Sequence, residues 1–178
     1  MACTLTSGFA LSNCNDSIGG IKTIWFAAAT DLYADASTTI SSTEITASTS
    51  TITFYKMSVH PEKASASTRA QASPDNGTVF YEQNLTVPVR DLDPTVQAII
   101  EDIHKASLLL LIELNKGGYV LFGAENGCDS NGGGSEFGTQ FGDMQMFEVV
   151  LLGRETKNMY LNMTAAAVDA SSWTLTEP

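Results

Sequence analysis

A chain of 178 residues that is 43% hydrophobic and 16% charged has the length of one domain and can bury enough surface to fold without a metal or disulfide staple. So few charges exclude a disordered chain, a coiled coil or a long solvated helix. Nine Lys and Arg against twenty Asp and Glu give a net charge of -11, and such a surface repels nucleic acid and anionic membranes at long range.

The opening, MACTLTSGFALSNC, has no basic segment and no apolar run of signal-peptide length, which points to cytoplasmic synthesis. The aliphatic run Leu108 to Ile112 is far short of a membrane span. Cys3, Cys14 and Cys128 are odd in number and form no CxxC; they are expected to be free thiols, with Cys3 and Cys14 able to pair only if the arm folds back.

Residues 1–20 are small and polar and end in Ser17-Ile18-Gly19-Gly20, an arm followed by a turn. Ile21 to Ala28 (IKTIWFAA) carries the β-branched and aromatic bulk of a strand. Between Ser37 and Thr53 twelve of seventeen residues are Ser or Thr, with Ile40, Ile45 and Ile52 recurring among them; this predicts exposed strand with a mobile turn. Thr51 to His60 (TITFYKMSVH) alternates like a strand. Residues 61–77 are small and polar and close on the turn signal Pro74-Asp75-Asn76-Gly77. Thr78 to Arg90 (TVFYEQNLTVPVR) is the next strand, its Pro88 suited to an edge or a strand exit. Pairing 51–60 with 78–90 predicts a long hairpin whose tip, 61–77, leaves the body of the domain and needs a cover.

Pro94 to Ala106 is the best helix. Asp93 stands at the N-cap, Pro94 at N1, and Val96, Ile99, Ile100 and Ile103 form one apolar stripe opposite Glu101, Asp102 and Lys105. Leu108 to Leu114 (LLLLIEL) predicts a strand buried on both faces. Asn115-Lys116-Gly117-Gly118 turns the chain into Tyr119 to Ala124, a second hairpin. Gly117 to Gly142 holds nine glycines in twenty-six residues and no Lys or Arg; it reads as a long flexible loop carrying Glu125, Asp129 and Glu136. Residues 143–153 (DMQMFEVVLLG) and 158–166 supply the closing strands. The expected protein is α+β and mainly β: an antiparallel β-sandwich or barrel with one flanking helix at about 94–106. Its parts are an N-terminal arm (1–20), a single domain (21–166) and a C-terminal tail (167–178).

No reaction motif emerges. Gly132-Gly133-Gly134-Ser135-Glu136-Phe137-Gly138 misses the nucleophile elbow by one residue, and phosphate cradling lacks its cation. Asp129-Ser130-Asn131-Gly132 is a poor calcium loop, since its glycine comes two positions early and Gln140 stands at position twelve. His60 and His104 have no partners at zinc-ligand spacing. No catalytic residue, cofactor or metal is therefore expected. Arg90-Asp91-Leu92-Asp93-Pro94 reads as a structural joint in which Asp93 caps the helix and Asp91, or a neighbouring subunit's acid, holds Arg90. With so few cations the acids are mostly unpaired. In a closed ring of copies, Glu44, Glu62, Glu82, Glu125, Asp129 and Glu136 are the candidates for a bore or a ring interface, past which DNA phosphates would slide without condensing. The plain alternative is that acidity keeps the protein in solution.

The succession of hairpin strands (51–60 and 78–90), Asp-Pro-capped helix (94–106), buried strand and hairpin (108–124), glycine-rich loop and closing strands (143–166) resembles the tail tube proteins of bacteriophages. The opening Cys14-Asn15-Asp16-Ser17-Ile18-Gly19-Gly20-Ile21-Lys22-Thr23-Ile24-Trp25-Phe26 is similar to the start of small virion structural proteins in phages of Bacteroidetes-type hosts. The resemblance covers most of the chain and implies two antiparallel sheets flanked by a helix. It implies hexameric rings whose inner strands form one continuous barrel, stacked into a tube through which the genome leaves without specific binding. Other tail proteins would be partners, and the place of action the virion after assembly in the host cytoplasm. Residues 1–20, 60–77 and 165–178 would contact other subunits and rings. Ser/Thr-rich 37–53 and the glycine loop are longer and plainer than the family pattern. Two other classes fit the same residues. One is a tail terminator, connector or capsid decoration protein. The other is a β-sandwich adhesion or carbohydrate-binding module, whose aromatic platform would fall to Trp173, since Trp25 reads as buried.

Overall fold

Five large aliphatic residues in succession, Leu108 to Ile112, leave a strand with no polar face, so the fold must cover both sides of it. The computed structural model describes residues 18–33, 39–40, 45–47, 52–60, 62–90, 92–163 and 173–177. Strand β1 (Ile21–Ala28) leads into a short helix α1 (Ala29–Tyr33), and β2 (Thr39–Ile40) and β3 (Ile45–Ala47) make a small two-stranded sheet. There follow β4 (Thr53–Met57), β5 (Ser65–Ser73), β6 (Thr78–Val89), α2 (Pro94–Lys105), β7 (Leu108–Leu114), β8 (Tyr119–Phe122), β9 (Cys128–Glu136), β10 (Met146–Glu155), β11 (Tyr160–Met163) and β12 (Thr174–Thr176). Ten strands share one sheet in the order β12-β4-β1-β7-β9-β10-β6-β5, with β8 and β11 branching from β7. Every pairing in it is antiparallel except that of β12 with β4. The protein is α+β and mainly β, as expected.

Strand β7 lies at the centre with Leu108 to Ile112 buried. Leu108, Leu110 and Ile112 join Ile24, Leu85, Val87, Val149 and Leu151 under Ile100 and Ile103 of α2. Leu109 and Leu111 face the other way, among Trp25, Phe54, Leu121 and Trp173. Met57 of β4 and Val87 of β6 belong to the first cluster although four strands separate β4 from β6, so the sheet curls around α2. The helix begins as its residues dictate: Pro94 occupies the first turn and the Asp93 side chain accepts from the Thr95 amide at 2.7 Å. Those bonds to Thr95 hold the Asp93 carboxyl below its ordinary range.

Three expectations are corrected. Strand β6 pairs with β5 in a register running from Ser65↔Thr86 to Ser73↔Thr78. Strand β4, the described strand of the 51–60 segment, lies instead between β1 and β12. Ser65–Ser73 has no large apolar side chain, but an edge strand is held by its backbone bonds to β6 and needs none. Second, the glycine-rich run is not one loop, because Cys128–Glu136 is strand β9, paired along β10. Its register shifts between Val149 and Leu151, where Gly132 and Gly133 adopt φ of 124° and 119°, a bulge open to glycine and strained for other residues. Third, Ile99 leaves the helix stripe and is exposed, while Ile100 and Ile103 are buried. Helix α1 was not expected. Cys3, Cys14, Glu44, Asp91 and the chain at 1–17 and 164–172 lie outside the described residues.

Among the described residues two polar side chains are buried, Gln83 and Glu155. The Gln83 oxygen accepts from the Gly123 amide at 2.9 Å and its nitrogen donates to the Asn158 carbonyl at 2.9 Å, which ties β6 to both neighbouring loops. Glu155 accepts from the amides of Glu125 and Asn126, each at 3.0 Å. Burial pushes its carboxyl above the ordinary range, outweighing those two donors. A folded-state pKa raised in this way means that the folded form binds the proton more tightly than the unfolded chain does. Glu155 is therefore expected to favour folding as pH falls through that raised value and to oppose it above. Urea titrations across pH 4–7 check this: the slope of stability against pH should contain an acid-favouring component that Glu155→Gln removes.

Candidate assembly surfaces

The β5–β6 hairpin outruns the sheet. Strand β10 pairs with β6 only from Tyr81 to Val89, so Thr78–Phe80, their partners Gln71–Ser73 and the turn Pro74–Gly77 overhang. The turn closes with the Gly77 amide donating to the Pro74 carbonyl at 3.3 Å and Gly77 at φ 64°. Alternation along the strand places Val79 on the same side as core residue Leu85, and Phe80 on the opposite side. Val79 is 60% and Phe80 37% exposed, so the tip is apolar on both faces. Asp75 is the one charged residue between Ala70 and Tyr81. Strand β5 ends the strand order, and among the described residues its outer edge pairs with no strand.

At the other end of β6 the curl of the sheet leaves a groove of about 960 Å³ between β4, α2 and Pro88–Arg90. Its walls are Phe26, Tyr55, Met57, Val59, Val96 and Ile99. Tyr55 is 51% and Ile99 47% exposed. At the rim, Lys56 pairs with Glu177 at 3.0 Å and lies 5.7 Å above the Trp25 ring. Arg90 donates from Nε to the Met144 sulfur at 3.0 Å, and among the described residues no carboxylate is within ion-pair distance of it. The joint thus separates: Asp93 and Pro94 start the helix, whereas Arg90 reaches the β9–β10 loop. That loop carries two further exposed aromatics, Phe137 and Phe141.

The candidate acids do not converge on one spot. Glu82 and Asp129 are brought near one another on the outer face of β6, β10 and β9, with Arg154 between them at 3.7 Å from Glu82 and lining a small polar pocket with Asp129. Glu125 accepts from the Thr156 amide at 3.1 Å and from its hydroxyl, with Lys157 4.0 Å away. Glu62 is exposed in the turn before β5, and Glu136 sits at the far end of β9. His104 is half-buried with Nδ1 2.5 Å from the Ser130 hydroxyl. Burial pushes the Cys128 thiol up to about 12, which makes it a poor nucleophile. Among the described residues no group of three or more His, Cys, Asp or Glu side chains is placed to hold a metal ion.

Both tryptophans are buried, Trp173 with its ring 5.1 Å from that of Phe54, so neither forms an exposed sugar platform. No protein-family model, curated protein or solved structure matches the chain. Phe80 and Ile99 sit in sequence patterns that read as core, which hides their exposure. Phe137 and Phe141 were the detectable ones, as large aromatics in a glycine-rich run without strand alternation.

Proposed function

We propose that this chain is a virion structural protein and the building block of a phage tail tube, forming stacked hexameric rings. The observation that carries the reading is the overhanging hairpin, with two exposed apolar side chains at its tip and, among the described residues, an unpaired strand edge along its flank. A monomer gains nothing from such a feature and risks aggregation by it, whereas a symmetric assembly covers it. The net charge of -11 suits a conduit for DNA that must not adhere to the wall. Another virion part built on the same sheet, such as a terminator or connector, would share these features but not extend without limit.

Mass photometry and negative-stain microscopy of the purified protein test this reading. Six-fold rings or tubes of growing length support it. Single rings that never stack favour a terminator, and a protein that stays monomeric at high concentration contradicts the proposal.

A further inference from the structure

We propose that the hairpin tip of one copy inserts into the apolar groove of a second copy, head to tail. The inference rests on the assembly reading above and names the contact that would carry it. The tip and the groove are the two ends of β6. Val79 and Pro88 are nine positions apart on that strand, roughly 30 Å at strand rise, so a chain cannot fill its own groove. A patch that fits a different patch on an identical molecule makes a heterologous contact, which repeats until a ring closes or a stack extends.

Shape and charge agree with this pairing. The tip carries Val79 on one face and Phe80 on the other, a wedge with apolar sides instead of a flat patch with one. The groove is walled on both sides by apolar residues, with Tyr55 from the sheet and Ile99 from the helix exposed to solvent. Burying such aromatic and aliphatic side chains in a desolvated pocket is how anchors supply most of an interface's energy. Asp75 is the lone charge at the tip. Arg90 at the groove has no carboxylate partner among the described residues. The rival occupant is the β9–β10 loop of a neighbour, through Phe137 and Phe141.

The test is disulfide cross-linking between full-length chains in which Cys3 and Cys14 are replaced by Ser. Phe80→Cys protein is mixed with Ile99→Cys protein and mildly oxidised. The expected product is a covalent dimer that forms in the mixture and in neither variant alone. Separately, Phe80→Asp should raise the concentration needed for assembly at least tenfold while leaving unchanged the thermal midpoint measured below the assembly concentration, since Phe80 lies outside both core clusters. A dominant cross-link between Phe141→Cys and Ile99→Cys, no cross-link at Phe80, or undiminished assembly of Phe80→Asp would overturn the inference. If the Phe80–Ile99 cross-link forms but no tube appears, the contact stands and the tail-tube reading fails. If tubes form without the cross-link, the tube reading stands and this contact is wrong. A monomer with no cross-link removes both.

Discussion

Leu111→Ala is expected to lower the free energy of unfolding by about 2–5 kcal/mol, the cost of removing a buried leucine and leaving its cavity. Leu111 is fully buried, and its in-register neighbours on either side are Trp25 of β1 and Leu121 of β8. Both neighbours are anchored in the sheet, so the site cannot collapse to fill the void. Against a typical total of about 5–15 kcal/mol, this one truncation removes a large share of the stability. Urea denaturation followed by tryptophan fluorescence measures it directly, because Trp25 lines the same cluster. An unchanged midpoint would mean that β7 is not the central strand.

Gly133→Ala is expected to be comparably damaging for a different reason. A methyl group at this position would lie 2.2 Å from the Glu148 carbonyl oxygen, and the backbone sits at φ 119°. Backbone strain and forced displacement of β10 together cost roughly 2–6 kcal/mol. Gly134→Ala is the matched control, since a methyl there meets nothing within 4 Å and the backbone needs no left-handed conformation. Thermal melts should show a large fall for the first and little change for the second. Equal behaviour of the two would contradict the bulge at the β9–β10 pairing.

These two residues also show what sequence can and cannot reveal. The strand at Leu108–Leu114 was legible because an unbroken aliphatic run has only one way to be buried. Strand β1 and helix α2 were legible because composition and capping agree at both levels: the Asp93-Pro94 start lies where its chemistry requires. Strand β9 was not legible. Its glycines look like a loop until the carbonyl of Glu148 is seen pressed against Gly133, a contact that exists only once β9 pairs with β10. Strand β5 failed similarly, because a run of Ser, Ala and Thr carries no burial signal and its place is fixed by backbone bonds to β6. The groove could not be read at all: Tyr55, Arg90 and Ile99 meet only because the sheet curls around α2. The overhang was foreseen in outline, through the Pro74–Gly77 turn, but with the wrong partner strand. Charge alone marks the candidate acids, and charge does not specify a face.

On the proposed reading the hairpin tip and the outer edge of β5, unpaired among the described residues, are covered only by other copies of this chain. Cryo-electron microscopy of the purified protein at high concentration tests it most directly. A six-membered ring with each tip buried against a neighbour, around a passage richer in Asp and Glu than in Lys and Arg, is the expected image. Isolated protomers with bare tips, or a passage lined by basic side chains, would contradict it.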